Sequence, residues 1–155
     1  MCVIFDANVA GLLFIDSKKR SDAATNFLEY LDKREIKLVV GGKLLEELTT
    51  GSTKFKEWLN GAVQRESASI IPADKIEKEQ KLLEGEKLKS DDPHVLALAI
   101  VSGASLLYTH DENLIADFKN RVLIPGRNRT VYKSDRNGKF TQAKRRQLKE
   151  AYCRV

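Results

Sequence analysis

Continuous apolar runs alternate with amphipathic stretches along the first 124 residues. Each run is short enough to be a buried strand; the runs are "MCVIF" at 1–5, "IKLVV" at 36–40, "SLLYT" at 105–109 and "RVLI" at 121–124. Strands that alternate with helices form parallel sheets covered on both faces. The pattern therefore predicts an α/β fold, a three-layer α/β/α sandwich around a central parallel sheet.

The stretches between these runs predict six helices, because their apolar residues recur every three or four positions. Ala24, Phe27, Leu28 and Leu31 are one such set. The predicted helices span about 21–35, 43–50, 52–66, 74–88, 92–103 and 111–120.

The character of the chain changes after Pro125. "RTVY" at 129–132 resembles a strand and "DRNG" at 135–138 a turn, which predicts a hairpin. The last fifteen residues predict a basic helix capped by Thr141. A chain of 155 residues with 42% hydrophobic residues suits a single domain. We therefore interpret residues 1–124 as that domain and residues 125–155 as its basic extension.

The charge of +5 is unevenly distributed. Residues 1–118 carry 15 Lys and Arg against 20 Asp and Glu, whereas residues 119–155 carry 12 against 2. Such a split is typical of attraction to a polyanion, although a plainly solvated surface explains it equally well.

Cysteines and targeting signals give expectations about the compartment. Cys2 and Cys153, the only cysteines, are far apart in sequence, which indicates neither a disulfide framework nor a metal-ligand pair. The first residues lack the features of a signal peptide, and no apolar run is long enough to span a membrane. We expect a cytoplasmic protein without a membrane anchor.

Acidic residues follow two of the predicted strands. Asp6 ends the first strand, and Asp111 comes just after "LLYTH". Parallel strands end at one edge of a sheet, where ligands commonly bind. Asp92 has the helical phase of Leu96 and Ala99 and therefore points toward the core, whereas Asp91 is better placed as a cap or an outer partner.

One further carboxylate is expected from the helix at 43–50. Leu44, Leu45 and Leu48 define its apolar face, which puts Glu47 at the flank and Glu46 nearly opposite, in water. Converging carboxylates raise each other's pKa steeply unless a cation neutralises them. Oxygen-only ligands suit Mg²⁺ or Mn²⁺.

Four motifs occur in an order and at a spacing that resemble the PIN-domain nuclease family. They are "FDANV" at 5–9, "LLEEL" at 44–48, "DPHVLALA" at 92–99 and "LLYTHDENL" at 106–114. The resemblance covers residues 3 to 124 and implies an α/β/α fold and cleavage of single-stranded RNA with Mg²⁺ or Mn²⁺.

The resemblance also assigns residues. Asp6, Glu47, Asp92 and Asp111 match the acidic metal-binding and catalytic set, while Asn8 and Thr109 match polar positions that orient the acids. Where some members have a further acid this chain has Asn113, which leaves Glu112 or Asp117 as substitutes. Many members are VapC-type toxins held inactive by an antitoxin. An exposed face near Trp58 and the Leu-rich helices is a candidate contact for an antitoxin or for a second copy of the chain.

In a site of this kind, a cation activates water for attack on the phosphodiester and stabilises charge on the phosphate. Basic residues of the extension are expected to hold the flanking RNA backbone. They are Arg127, Arg129, Lys133, Lys144, Arg145 and Arg146.

Other functions stay open. A noncatalytic relative that binds RNA is the first alternative, since the basic extension suits it equally well. A phosphotransfer receiver domain lacks an obvious lysine beside the acids, and a haloacid-dehalogenase-like phosphatase needs an aspartate where Asn8 stands. A zinc site at His94 and His110 is disfavoured by their spacing.

Overall fold

The computed structural model describes residues 2–126, 129–134 and 138–151, and this part of the chain forms five strands and eight α-helices. The strands are β1 (Cys2–Phe5), β2 (Lys37–Val40), β3 (Ala68–Ile70), β4 (Leu106–Tyr108) and β5 (Thr130–Tyr132). The helices are α1 (Ala7–Leu13), α2 (Asp22–Asp32), α3 (Gly42–Gly51), α4 (Thr53–Gln64), α5 (Ala73–Leu83), α6 (Pro93–Ser102), α7 (Glu112–Lys119) and α8 (Gln142–Glu150).

The strands form one parallel sheet in the order β3-β2-β1-β4-β5. Because all five point the same way, their carboxyl ends share one side of the sheet, here called the carboxyl edge, and the opposite side is the amino edge. The chain proceeds from β1 to one side and later returns to place β4 on the other. A crevice at the carboxyl edge between β1 and β4 is therefore the usual ligand position in such a sheet.

Aromatic residues in register build one side of the core. Phe5 lies beside Tyr108, and Tyr108 lies beside Tyr132, so the three side chains share one face of the sheet. Phe27 of α2 packs against all three, with ring centroids 4.9–6.4 Å apart. Helices α5 and α6 pack together, and α6 contacts β2. The predicted α/β/α sandwich with a parallel sheet is confirmed.

The predicted helices are all present with shifted ends, but two elements were not predicted. Helix α1 starts directly after Asp6, and β3 is only three residues long. Strand β3 pairs only with β2 among the described residues, and its Ile70 is exposed. A strand in this position does not need a continuous apolar run, and "ASI" at 68–70 has none, so the sequence carried no signal for it.

The strand predicted at 121–124 is wrong. These residues form turns, with Leu123 and Ile124 buried and Val122 86% exposed. Two adjacent apolar side chains can pack against the core without backbone pairing. The sheet position beside β4 is filled by β5 instead.

The hairpin predicted after Pro125 is also corrected. The strand exists as β5, but it pairs in parallel with β4 as part of the main sheet. Residues 135–137 of the expected turn lie outside the described residues, and the described residues after β5 contain no further strand. Helix α8 begins as predicted, since Lys144 N donates to Thr141 Oγ1 at 3.2 Å.

Cys2 is buried at the start of β1 and takes part in a disulfide. The only other cysteine, Cys153, lies outside the described residues. The expectation that the cysteines form no disulfide framework is therefore wrong for Cys2. This removes one of the grounds for expecting a reducing compartment.

Among the described residues, none of the helices has both the length and the apolar character that crossing a membrane requires.

Candidate functional site

Asp6 is the buried member of an acidic cluster at the carboxyl edge. It follows β1 and is the N-cap of α1, with Oδ1 accepting from Val9 N at 3.1 Å. Its other oxygen, Oδ2, accepts from Thr109 Oγ1. Burial raises the pKa of Asp6, and the charge of Asp111 adds to the rise, while hydrogen bonds from Thr109 and from backbone N–H groups oppose it.

Thr109 connects Asp6 to Asp111. It is fully buried after β4, and its hydroxyl, besides donating to Asp6, accepts from Asp111 N at 3.1 Å. Asp111 caps α7, with Oδ1 accepting from Asn113 N at 2.9 Å and Leu114 N at 3.2 Å. The strand ends thus hold two carboxylates in fixed positions.

Asp92 enters the cluster from the start of α6. It occupies the N-cap position, but its side chain makes no capping hydrogen bond. Burial raises the pKa of Asp92, and the charges of Glu47, Asp111 and Asp6 raise it further, although His94 opposes them. Helix capping therefore does not explain why this half-buried carboxylate is present.

Glu47 approaches from α3 and is held by a histidine. Its Oε2 accepts from His94 Nε2 at 3.2 Å, and its Oε1 lies 3.8 Å from Lys43 Nζ. His94 is only 1% exposed, whereas Glu47 is 34% exposed and Glu46 faces solvent. Because an ionised carboxylate only accepts, the Nε2 of His94 is the donor in this hydrogen bond, and the buried Nδ1 has no partner among the described residues.

The four acids share one electrostatic environment. The charges of three of them act on Asp92, and the charge of Asp111 acts on Asp6. They come from the ends of β1 and β4, from the first turn of α6 and from the middle of α3. This arrangement agrees with the expectation that acids from distant parts of the chain meet at the carboxyl edge.

The donor set suits a hard divalent cation, because it consists of carboxylate oxygens whose mutual repulsion a cation would relieve. The two raised carboxyl pKa values are the observation that fits such an ion. However, the described part of the chain contains no group of three or more His, Cys, Asp or Glu side chains already arranged to coordinate a metal. Coordination would require these side chains to draw closer together.

Asp117, which the sequence left as a substitute for a further acid of the site, instead holds the segment before α6. It is buried in α7, and its carboxylate accepts from Lys89 N at 3.0 Å and from Ser90 N and Ser90 Oγ at 2.8 Å. These bonds fix the segment that leads into Asp92. Asp117 lies three residues after Leu114 and so shares its side of the helix, which was the sequence signal for its burial.

The other acidic and polar candidates lie at the margin of the cluster. Glu112 is 77% exposed and pairs with Lys133. Asp91 is exposed, and so is the side chain of Asn8, whose backbone N–H helps to lower the pKa of Asp6. His110 Nε2 accepts from Ser134 N at 3.1 Å.

The predicted RNA-binding cations are divided between the two edges of the sheet. Lys133 follows β5 at the carboxyl edge, whereas Arg129 precedes it, with Nε donating to Phe118 O at 2.8 Å. On α8, Lys144 is half-buried while Arg145 and Arg146 are exposed. Arg127 lies outside the described residues.

Comparisons of the chain with protein-family models, with curated proteins and with solved structures give no match.

Proposed function

We propose that this protein is a divalent-cation-dependent endoribonuclease of the PIN type that cleaves single-stranded RNA. The observation that carries the proposal is the cluster of Asp6, Glu47, Asp92 and Asp111 at the carboxyl edge. Capping explains Asp6 and Asp111 structurally, but it explains neither Glu47 nor Asp92. Glu47 is held by His94 and Lys43. Asp92, by contrast, is a half-buried carboxylate without a capping hydrogen bond, which favours a functional reason for its presence.

The four carboxylates are the residues that would hold Mg²⁺ or Mn²⁺. The cation would supply the positive charge that keeps them ionised and that stabilises the phosphate during cleavage. Thr109 keeps Asp6 and Asp111 in register, and His94 restrains Glu47. Such outer hydrogen bonds orient metal ligands.

The proposed substrate is a polyanion, and exposed cations support its binding. Lys133 lies on the same edge as the acids, in an ion pair with Glu112 that a phosphate could replace. Arg145 and Arg146 add charge on α8. Backbone phosphates supply most of the affinity for single strands, so these cations would offset repulsion from the acidic cluster.

A toxin of a toxin–antitoxin pair belongs to the same proposal, with an antitoxin or a second copy of the chain as its protein partner. A cytoplasmic location, where such RNA is accessible, belongs to it as well.

The test is cleavage of a mixed panel of single-stranded RNAs by the purified protein with Mn²⁺, beside an EDTA control. Asp92→Asn is the key variant, and Asp74→Asn, an exposed aspartate at the start of α5, is the matched control. We expect the wild type and Asp74→Asn to cleave alike. EDTA or Asp92→Asn should reduce cleavage at least ~100-fold, because a lost ligand affects the metal more than a lost outer partner does.

Folded wild-type protein that leaves every RNA intact with Mn²⁺ would contradict the proposal. Cleavage that persists in EDTA would contradict its dependence on a cation.

A noncatalytic RNA-binding protein is the second candidate. It is favoured by the finding that the described acids and histidines are not already arranged as a coordination set. In that case the wild type and Asp92→Asn would bind the RNA panel equally in a filter-binding assay, and neither would cleave it.

A further inference from the structure

A cavity of about 630 Å³ opens at the amino edge of the sheet, away from the acidic cluster. Ser105 and Thr130, at the starts of β4 and β5, form its floor, and Gln147 of α8 forms part of its wall. Its volume is in the range of small-molecule sites.

The charge of this cavity is opposite to that of the acidic cluster. Among the described lining residues, Lys119, Arg121 and Arg129 carry three positive charges and Glu150 carries one negative charge. Among the described residues, the ion pairs involve neither Lys119 nor Arg121, and both are exposed. The described part of the lining therefore carries net positive charge.

Its hydrogen-bonding groups are held in place before any ligand arrives. Arg129 Nε donates to Phe118 O at 2.8 Å, and the guanidinium carbon lies 5.9 Å from the centre of the Phe118 ring. Gln147 Nε2 donates to Val131 O at 2.9 Å, and Thr130 N donates to Ser105 O at 2.8 Å. These bonds fix the side chains of Arg129 and Gln147, and prior fixation of side chains reduces the entropy lost on binding.

The lining also limits the kind of ligand. None of the described lining residues is aromatic or aliphatic, so the groups that a ligand meets there are mainly charged and polar side chains. Guanidinium, ammonium, hydroxyl and amide groups together match phosphate oxygens. The cavity is partly open and lies on the edge away from the acids, so a separate small anion suits it better than an RNA strand that is held at the acidic cluster.

We propose that this cavity is a binding site for a small phosphate-bearing anion. A purely structural explanation exists, because cations near the end of α7 would stabilise the negative end of its dipole. Stabilisation of the helix dipole predicts no saturable binding of an anion, so a binding experiment distinguishes it from an anion site.

The test is titration of the full-length protein with pyrophosphate by isothermal titration calorimetry. EDTA in the buffer removes divalent cations, so that the acidic cluster cannot bind the probe through a metal. The test variant is Lys119→Gln/Arg121→Gln. The control is Lys54→Gln/Lys56→Gln, which removes two exposed cations from α4 and changes the net charge equally.

We expect saturable binding by the wild type and the control, and at least ~10-fold weaker binding by the test variant, because charge-assisted hydrogen bonds are lost. All four substituted residues are exposed, so melting temperatures should confirm that both variants fold.

Absence of saturable binding, or equal weakening in both variants, would overturn the proposal. Displacement of pyrophosphate by a short single-stranded RNA at lower concentration than by inorganic phosphate would also overturn it, in favour of a contact for the RNA backbone. Because no step of this assay depends on cleavage, failure of the proposed nuclease activity would leave its result interpretable.

Discussion

The carboxyl group of Asp92 combines burial with three neighbouring negative charges. Burial raises its pKa most, Glu47, Asp111 and Asp6 raise the pKa further, and His94 lowers it. A carboxyl pKa that is higher in the folded state favours folding only while the group is protonated. That contribution is complete below the unfolded pKa of about 3.9 and is lost as the pH rises through the folded value.

Asp92→Asn should therefore stabilise the metal-free protein at neutral pH, since asparagine has no charge to bury. We expect the melting temperature in EDTA to rise by roughly 1–3 °C at about pH 7 and the gain to shrink as the pH is lowered toward 4. Differential scanning calorimetry of the wild type, Asp92→Asn and Asp74→Asn measures this. A lower melting temperature for Asp92→Asn at neutral pH would mean that the ionised carboxylate supports the fold.

His94 is the residue that most directly controls another member of the cluster. Its Nε2 donates to Glu47, and its buried Nδ1 has no partner among the described residues. The ring therefore does not connect two parts of the described structure by hydrogen bonds. We expect His94 to be a positioning residue whose replacement affects metal binding more than folding.

His94→Leu should weaken Mn²⁺ binding by about 10-fold, because outer partners of metal ligands contribute on that scale. His94→Gln keeps an N–H donor and should retain more of the affinity. Isothermal titration with Mn²⁺, together with the free energy of unfolding in urea, separates the two effects. Equal Mn²⁺ affinity in all three proteins would assign His94 a packing role only.

Cleavage should distinguish the two neighbouring glutamates of α3. Glu47→Gln is expected to lower the cleavage rate at least ~10-fold, because it removes a charge from the cluster. Glu46→Gln removes a charge from the solvent-facing side of α3 and should lower the rate less. Initial rates on a fluorescent single-stranded RNA with Mn²⁺ provide the comparison. Equal losses would indicate a general effect of charge.

At the scale of elements, α7 connects the cluster to the segment that precedes α6. Asp111 caps its first turn and Asp117 lies on its buried face, with the carboxylate receiving hydrogen bonds from Lys89 and Ser90. A buried acceptor of several N–H groups is expensive to replace by a group that also donates. The helix thereby sets the position from which Asp92 enters the site.

Asp117→Asn should reduce the free energy of unfolding by about 2–4 kcal/mol, because an amide N–H would face backbone N–H donors. Urea denaturation measures the loss, and hydrogen exchange of residues 86–92 should speed up. Glu112→Gln on the exposed side of α7 is the control and should change stability little. Wild-type stability in Asp117→Asn would show that this segment is held by other contacts.

At the scale of the whole molecule, the positive charge of the last 37 residues is spread around the sheet. Lys133 lies at the carboxyl edge, Arg129 belongs to the cavity at the amino edge, and Arg145 and Arg146 project from α8. The basic residues that were expected to hold the flanking RNA backbone therefore lie in separate groups. Only some of them can contact one RNA strand together with the acidic cluster.

RNA binding should still weaken steeply with salt. If Arg145 and Arg146 each contact a phosphate, Arg145→Gln/Arg146→Gln should make the plot of log affinity against log salt less steep by about 1.4. Fluorescence anisotropy in EDTA, with Lys54→Gln/Lys56→Gln as the charge-matched control, tests this. A salt dependence that is flat in the wild type would remove the cations from RNA binding altogether.

The fold class and the position of Asp6 and Asp111 at one edge of the sheet could be predicted because they depend on local patterns. Apolar runs of strand length, separated by amphipathic helices, lead to a covered parallel sheet, and such a sheet brings Asp6 and Asp111 to one edge. Helical phase distinguished Glu47 from Glu46 and Asp92 from Asp91, because burial on a helix follows its period. The nuclease activity itself stays a prediction.

The sequence by itself determined the alternation of elements, the edge at which the acids collect and the excess of positive charge after residue 118. The tertiary structure decided which strand borders β4, that Cys2 is in a disulfide, that His94 holds Glu47 and that Asp117 anchors the approach to Asp92. It also decided that the cations are divided between two edges and that a basic cavity forms there. Each of these depends on contacts between residues far apart in the chain, and local periodicity carries no information about such contacts.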